Sequence, residues 1–134
     1  MARRREARRV AVGILYQADV SRRSPLEVLA ERQTVGERVP RYAQELVRGV
    51  EKHRRELDGL IGEYAEGWTV PRMAAVDRTL LRVAGFELLH RDDIPAAVAI
   101  DEAVAAAKVL STKDSGRFIN GVLGRIAREH AGAG

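Results

Sequence analysis

WTVPRMAAVDRTLLRVAGFELL, residues 68–89, is the stretch whose reading decides the fold. Met73, Val76, Leu80, Val83, Ala84 and Leu88 recur at three- and four-residue steps, the period of one helix face. Leu81, Phe86 and Leu89 add apolar surface outside that stripe. A helix that is greasy on more than one side is usually wrapped by neighbours rather than lying on a surface. Pro71 fits a first helical turn, where its missing N–H would have no partner in any case. Trp68 reads as a core wedge, because large aromatics bury most of their area. The stretch is therefore expected to be the central helix of a small helical domain.

Beyond it, Arg91-Asp92-Asp93-Ile94-Pro95 reads as a turn, and a further helix runs to about Leu110. Its expected inward stripe is Ala96, Ile100, Ala103, Ala107 and Leu110, small enough for close helix approach. Asp101 and Glu102 are adjacent acids, but successive helical positions point about 100° apart and do not converge on one ion. Ser111 to Ser115 is rich in N-cap residues, and the last helix, GRFINGVLGRIARE, buries Ile119, Val122, Leu123 and Ile126. Phe118 lies about a quarter-turn from the centre of that stripe, a border position able to face out. Lys113 and Arg117 at the helix start suit a phosphate. On spacing alone, an ordinary capped helix with Phe118 in the core reads better. Gly121 in mid-helix costs roughly 1 kcal/mol against Ala, which points to close packing or ligand approach. The AGAG tail reads as a frayed end.

On the N-terminal side, a first helix is expected from Arg3 to Val20, with Ala7, Val10, Ala11, Ile14 and Ala18 inward. Arg5, Arg9, Val12 and Tyr16 fall on a different line, with Arg4 and Arg8 beside it. Guanidinium groups neutralise phosphates while an exposed aromatic offers a stacking platform, the chemistry of single-stranded RNA binding. The competing reading is a solvated basic face with Tyr16 half in the core. Ser24-Pro25 opens a short helix to about Glu31, Gln33 to Arg38 is a polar loop, and a long helical pattern runs from Arg41 through Tyr64. His53 lies in the charged face of that pattern with no second histidine at ligand spacing, so no metal is expected there.

The chain of 134 residues is one domain's worth and 46% apolar, which excludes a disordered chain. It contains no cysteine, which removes disulfides, thiolate zinc sites and cysteine nucleophiles. No apolar run approaches the roughly 18–20 residues of a membrane span, and the basic start lacks a signal-peptide core. A reducing cytoplasm fits. Residues 1–23 hold seven arginines against Glu6 and Asp19, a net of +5, so the rest of the chain's overall +4 is −1. Positive charge at one end of a balanced chain points to a polyanionic partner, nucleic acid ahead of membrane. Arginine also predominates throughout, 20 against 3 lysines, so composition contributes to that choice. The pattern gives an all-α architecture of two antiparallel helical subdomains packed together, about 1–66 and about 67–130.

RREARRVAVGILYQAD, RMAAVDRTLLRVAGFELLHRDDIP, AVAIDEAVAAAK and KDSGRFINGVLGRIA, in this order and covering about half of the chain, resemble the NusB family of bacterial transcription antitermination factors. Asp101 and Gly116 stand where that family would lead one to expect Asn and a bulkier residue. The resemblance implies a single NusB-like domain without catalytic activity, cofactor or metal. It implies binding to boxA RNA of nascent ribosomal RNA together with NusE, a small-subunit ribosomal protein, within the RNA polymerase antitermination complex. It leaves room for a homodimer. By position, Arg3, Arg4, Arg5, Arg8 and Arg9 would grip the RNA backbone, and Tyr16, Arg117, Phe118 and Asn120 would lie near bound RNA. Glu87 matches a position at the NusE contact and is expected to point away from the core stripe.

Two other functions compete. NusB-like domains also precede the catalytic domain of RNA cytosine methyltransferases, and a detached accessory module of that kind is the alternative. That chemistry requires a large cofactor-binding domain and catalytic cysteines, which this sequence lacks. A helical adaptor using its basic end on a membrane or acidic protein would show no RNA sequence preference.

Overall fold

The computed structural model describes residues 2–130, and the AGAG tail lies outside them. Among the described residues there are seven α-helices, one 3-10 turn and no strand. They are α1 (Ala2–Ser21), α2 (Pro25–Thr34), α3 (Arg41–Lys52), α4 (Arg54–Tyr64), α5 (Ala75–His90), α6 (Ala96–Leu110) and α7 (Lys113–His130). The chain divides into two units, the first ending at His53 and the second beginning at Arg54. The sequence pattern suggests a division near residue 66, which would put α4 with the first unit. In the structure α4 packs on α5 and α7, so its partners belong to the second unit.

In the first unit α1, α2 and α3 all pack on one another. α1 buries Ala7, Ala11, Ile14, Leu15 and Ala18, and the three alanines among them let neighbouring backbones come close. Val28 and Leu29 of α2 and Leu46, Val47 and Val50 of α3 complete this core. Two similar C-caps end α1 and α2. Arg23 N–H donates to Ala18 O at 2.9 Å and Arg22 N–H to Asp19 O at 3.3 Å, while Glu37 and Gly36 repeat the pattern on Arg32 and Gln33. This paired bonding satisfies carbonyls left over at a helix end and needs a left-handed residue. Gly36 supplies it at φ +94, whereas Arg22 adopts φ +56 against its own Cβ. Ser24 occupies the N-cap of α2, but its side chain makes no capping bond.

The expected single helix from Arg41 to Tyr64 is interrupted at His53, whose φ of −104 and ψ of 16 leave the helical range. Neither proline nor a glycine pair announces the break.

In the second unit α5 is the central helix, packed by α4, α6 and α7. Every residue from Thr79 to Glu87 is buried, as expected for a helix wrapped on all sides. Pro71, however, belongs to the separate 3-10 turn Val70–Arg72. Arg78 of α5 fastens that turn, donating to Met73 O at 2.8 Å, Pro71 O at 3.3 Å and Val70 O at 3.4 Å. Arg82, buried on α5, makes a two-pronged bond to Asp58 of α4 at 2.8 and 3.0 Å. Trp68 is 52% exposed and is not the core wedge expected of it; it follows the left-handed Gly67 and its N–H donates to Ala65 O, which leaves the ring outside.

On α6 the buried stripe is Ala99, Ala103 and Ala107, while Leu110 of the expected stripe is 52% exposed. α7 buries Ile119, Val122, Leu123 and Ile126 as the spacing required. Its start is capped by Thr112, whose Oγ1 accepts from Ser115 N–H at 2.9 Å. Ser115 Oγ in turn donates to Asp77 Oδ2 of α5 at 2.9 Å. That bond fixes the first turn of α7, on which the candidate residues Arg117 and Phe118 follow.

Candidate nucleic-acid interface

In the first unit the burial of α1's alanine stripe turns its opposite side to solvent. Arg5 and Arg9 are exposed there, and Tyr16 is 39% exposed, while Arg3, nearly half a turn round from Arg5, is exposed at the helix start. Arg9 approaches Glu6 at 3.6 Å, an exposed pair of little energetic weight. Arg4 and Arg8 are half-buried and lean toward α3, where the Arg4 guanidinium lies 4.2 Å from the centre of the Tyr42 ring and that of Arg8 lies at 6.0 Å. The five arginines thus split into three that face solvent and two that rest near an aromatic. Sequence spacing puts Arg5 and Arg9 on one line with Arg4 and Arg8 beside it and gives no sign of Tyr42; only the packing of α1 on α3 reveals it.

In the second unit the outward face of α7 carries Lys113, Arg117, Asn120 and Gly121, all exposed. Arg117 stands 3.7 Å from Asp114 with its side chain 77% exposed, so the pairing leaves it available to an anion. Phe118 is half-buried beside them, the border position its spacing indicates. A Cβ added to Gly121 would meet nothing within 4 Å among the described residues. Close packing among the described residues therefore does not account for this glycine. A cation, an amide, part of an aromatic ring and bare helix backbone lie together on this face.

Glu87 does not face solvent. It is 1% exposed, within the run of α5 that three helices enclose. The expectation that it points outward is corrected: on a helix covered on every side, leaving the apolar stripe does not mean reaching water. Toward the far end of α7, Arg125 donates to Glu66 Oε1 at 3.0 Å and lies 5.0 Å from the centre of the Tyr64 ring. The Tyr64 hydroxyl is 2.7 Å from His130 Nε2. Burial, followed by the charges of Glu63 and Glu129, raises the Tyr64 pKa above its ordinary value, so the phenol stays protonated. This cluster joins α4 to α7 and leaves the Arg117 face uncovered. No helix among the described residues is long and apolar enough to cross a membrane.

The sequence model of the NusB family matches residues 5–128. The chain belongs to the NusB family. It is 52% identical over 132 residues to the transcription antitermination protein NusB of Salinispora arenicola, an alignment that covers 95% of this chain and 96% of that one. Among solved structures, T. maritima NusB superposes with a TM-score of 0.86 at 39% identity, covering 96% of this chain and 93% of the other. A chain from the crystal structure of the antitermination factors NusB and NusE in complex with dsRNA superposes with a TM-score of 0.85 at 26% identity, covering 97% and 99%. NusB membership agrees with the all-α architecture and with the sequence segments that first suggested it. The named relatives are antitermination factors rather than enzymes.

Proposed function

We propose that this NusB-family chain is an RNA-binding transcription antitermination factor that takes up boxA RNA of nascent ribosomal RNA together with NusE, in the cytoplasm and as part of the RNA polymerase antitermination complex. The observation that carries the reading is the exposed line of α1 formed by Arg5, Arg9 and the ring of Tyr16, with Arg3 exposed at the helix start. Such an array neutralises a phosphate backbone without reading bases, and the aromatic adds stacking that any base can use. On α7, Arg117, Phe118 and Asn120 offer a second set of groups: charge, a ring edge and an amide able to hydrogen-bond a base. Family membership supports the assignment, as does the likeness to a NusB solved with NusE and dsRNA. No step of this function needs a catalytic residue, cofactor or metal.

The test is a titration of the full chain with boxA RNA and with a scrambled RNA of equal length, each with and without NusE. Preference for boxA, increased by NusE, is the expected result. Equal binding of both RNAs in the presence of NusE refutes the antitermination reading and leaves a nonspecific polyanion binder.

A further inference from the structure

We infer that Tyr42 of α3 is a positioning residue for RNA: its ring holds the guanidinium groups of Arg4 and Arg8 in place before the phosphate backbone arrives. The inference rests on the RNA reading above and assigns a role to a residue on a different helix from the arginine array. Tyr42 is 8% exposed, so its ring is too covered to stack on a base itself. Its ring is directed to α1 instead, with Arg4 at 4.2 Å and Arg8 at 6.0 Å from the ring centre. A cation within about 6 Å of an aromatic centroid is attracted by the ring quadrupole. Arginine suits this arrangement because its planar guanidinium stacks on aromatic faces as well as gripping phosphate.

One consequence follows for binding. A long arginine side chain loses rotamer freedom when it clamps a phosphate, and that ordering opposes association. Where the side chain already leans on a ring, part of the ordering has occurred in the free protein. Arg3, Arg5 and Arg9 turn to solvent instead. Arg4 and Arg8, one helical turn apart on α1, are the two that rest against a ring, and the other three supply further charge around them.

The experiment is RNA titration of the full chain carrying Tyr42→Phe, Tyr42→Leu, the pair Arg4→Ala/Arg8→Ala, and the triple combination of that pair with Tyr42→Leu. Each is run with boxA RNA well below the melting temperature of the least stable variant. Tyr42→Phe keeps the ring and is expected to bind as the unaltered chain does. Tyr42→Leu keeps apolar volume without a π face and should weaken binding about two- to tenfold, the ordering cost of one long side chain now met on binding. In the background lacking Arg4 and Arg8, Tyr42→Leu should have no further effect. The same loss in that background, or an equal loss with Tyr42→Phe, overturns the inference while the RNA reading stands. An unaltered chain that binds no RNA overturns both. Should Tyr42→Leu not fold, Tyr42→Met, equally without a π face, takes its place with the same expectations.

Discussion

Replacing Phe118 by Ala separates a ring that stacks on RNA from one that only fills the core. Complete burial would make the substitution cost roughly 3–5 kcal/mol of folding stability, through lost transfer energy and the cavity left behind. Phe118 is half-buried, between the exposed Arg117 and the buried Ile119. About half of that range, roughly 1.5–2.5 kcal/mol, is therefore the expected stability loss. A base stacked on the exposed part of the ring would add a binding loss of about 1–3 kcal/mol, roughly 5- to 150-fold in affinity. Thermal melting gives the first quantity, and titration with boxA RNA at a temperature where the variant is folded gives the second. Phe118→Leu sharpens the comparison, because it restores most of the apolar volume but no aromatic face. It should recover most of the stability and little of the binding. A folded Phe118→Ala chain with unchanged RNA affinity refutes the stacking role, whatever its melting temperature.

Replacing Arg3, Arg5 and Arg9 together by Ala should leave helical content intact and flatten the salt dependence of RNA binding. For every phosphate that is no longer neutralised, the slope of log K against log salt should shrink by about 0.7; an unchanged slope would take this array out of the interface. Glu87→Lys, with the side chain at 1% exposure, should lower folding stability by at least about 3 kcal/mol, the scale of an uncompensated buried charge. Selective loss of NusE binding in a normally stable Glu87→Lys chain would show instead that the residue reaches a partner. The Arg23 side-chain bond, and then its charge, hold the Glu31 carboxylate below its usual value of 4.5. A depressed carboxylate contributes stability that is present above 4.5 and is lost as pH falls through the folded-state value. Arg23→Ala should accordingly remove part of the acid dependence of the melting temperature below pH 4.5, as followed by circular dichroism.

How much of this is legible in the sequence depends on whether a helix has a dry side and a wet side. α1 and α7 do, so spacing alone gives the buried stripe of α7, that of α1 apart from Val10, which is half-buried, and Leu15, which is buried instead, and the border position of Phe118. α5 does not. Its excess of apolar residues correctly announces a central helix, but the same enclosure invalidates the inference that a polar residue beside the stripe faces solvent. Glu87, Thr79 and Arg82 are all buried there. Trp68 departs from expectation for a related reason. Burial of a turn residue is decided by how the chain leaves Gly67 at φ +80, and no periodicity extends across such a turn. The break at His53 separates helices whose partners lie in different units, and partners are not encoded at the break itself. Tyr42 is invisible in the sequence because a cation–π interaction between α1 and α3 has no signature within either helix.

The N-terminal end of α1 is also where local rules and the actual sequence disagree most. A helix N-terminus carries roughly half a positive charge and favours acidic side chains in its first turn. α1 has none there and places arginines instead. Arg4 with Arg8 and Arg5 with Arg9 are like-charge pairs four residues apart, each unfavourable by about 0.2–0.5 kcal/mol. The helix persists because Ala7, Ala11, Ile14, Leu15 and Ala18 bury its other side, and because Tyr42 accepts two of the cations. A sequence selected only for stability would have replaced one or two of these arginines with glutamate. In the RNA reading proposed above, a polyanion bound at this end offsets those costs. It neutralises the repelling pairs and occupies the positive end of the helix, so binding to the folded chain also stabilises it. Local costs of this kind, gathered at one helix end and relieved by one class of ligand, are accounted for by the RNA reading proposed above.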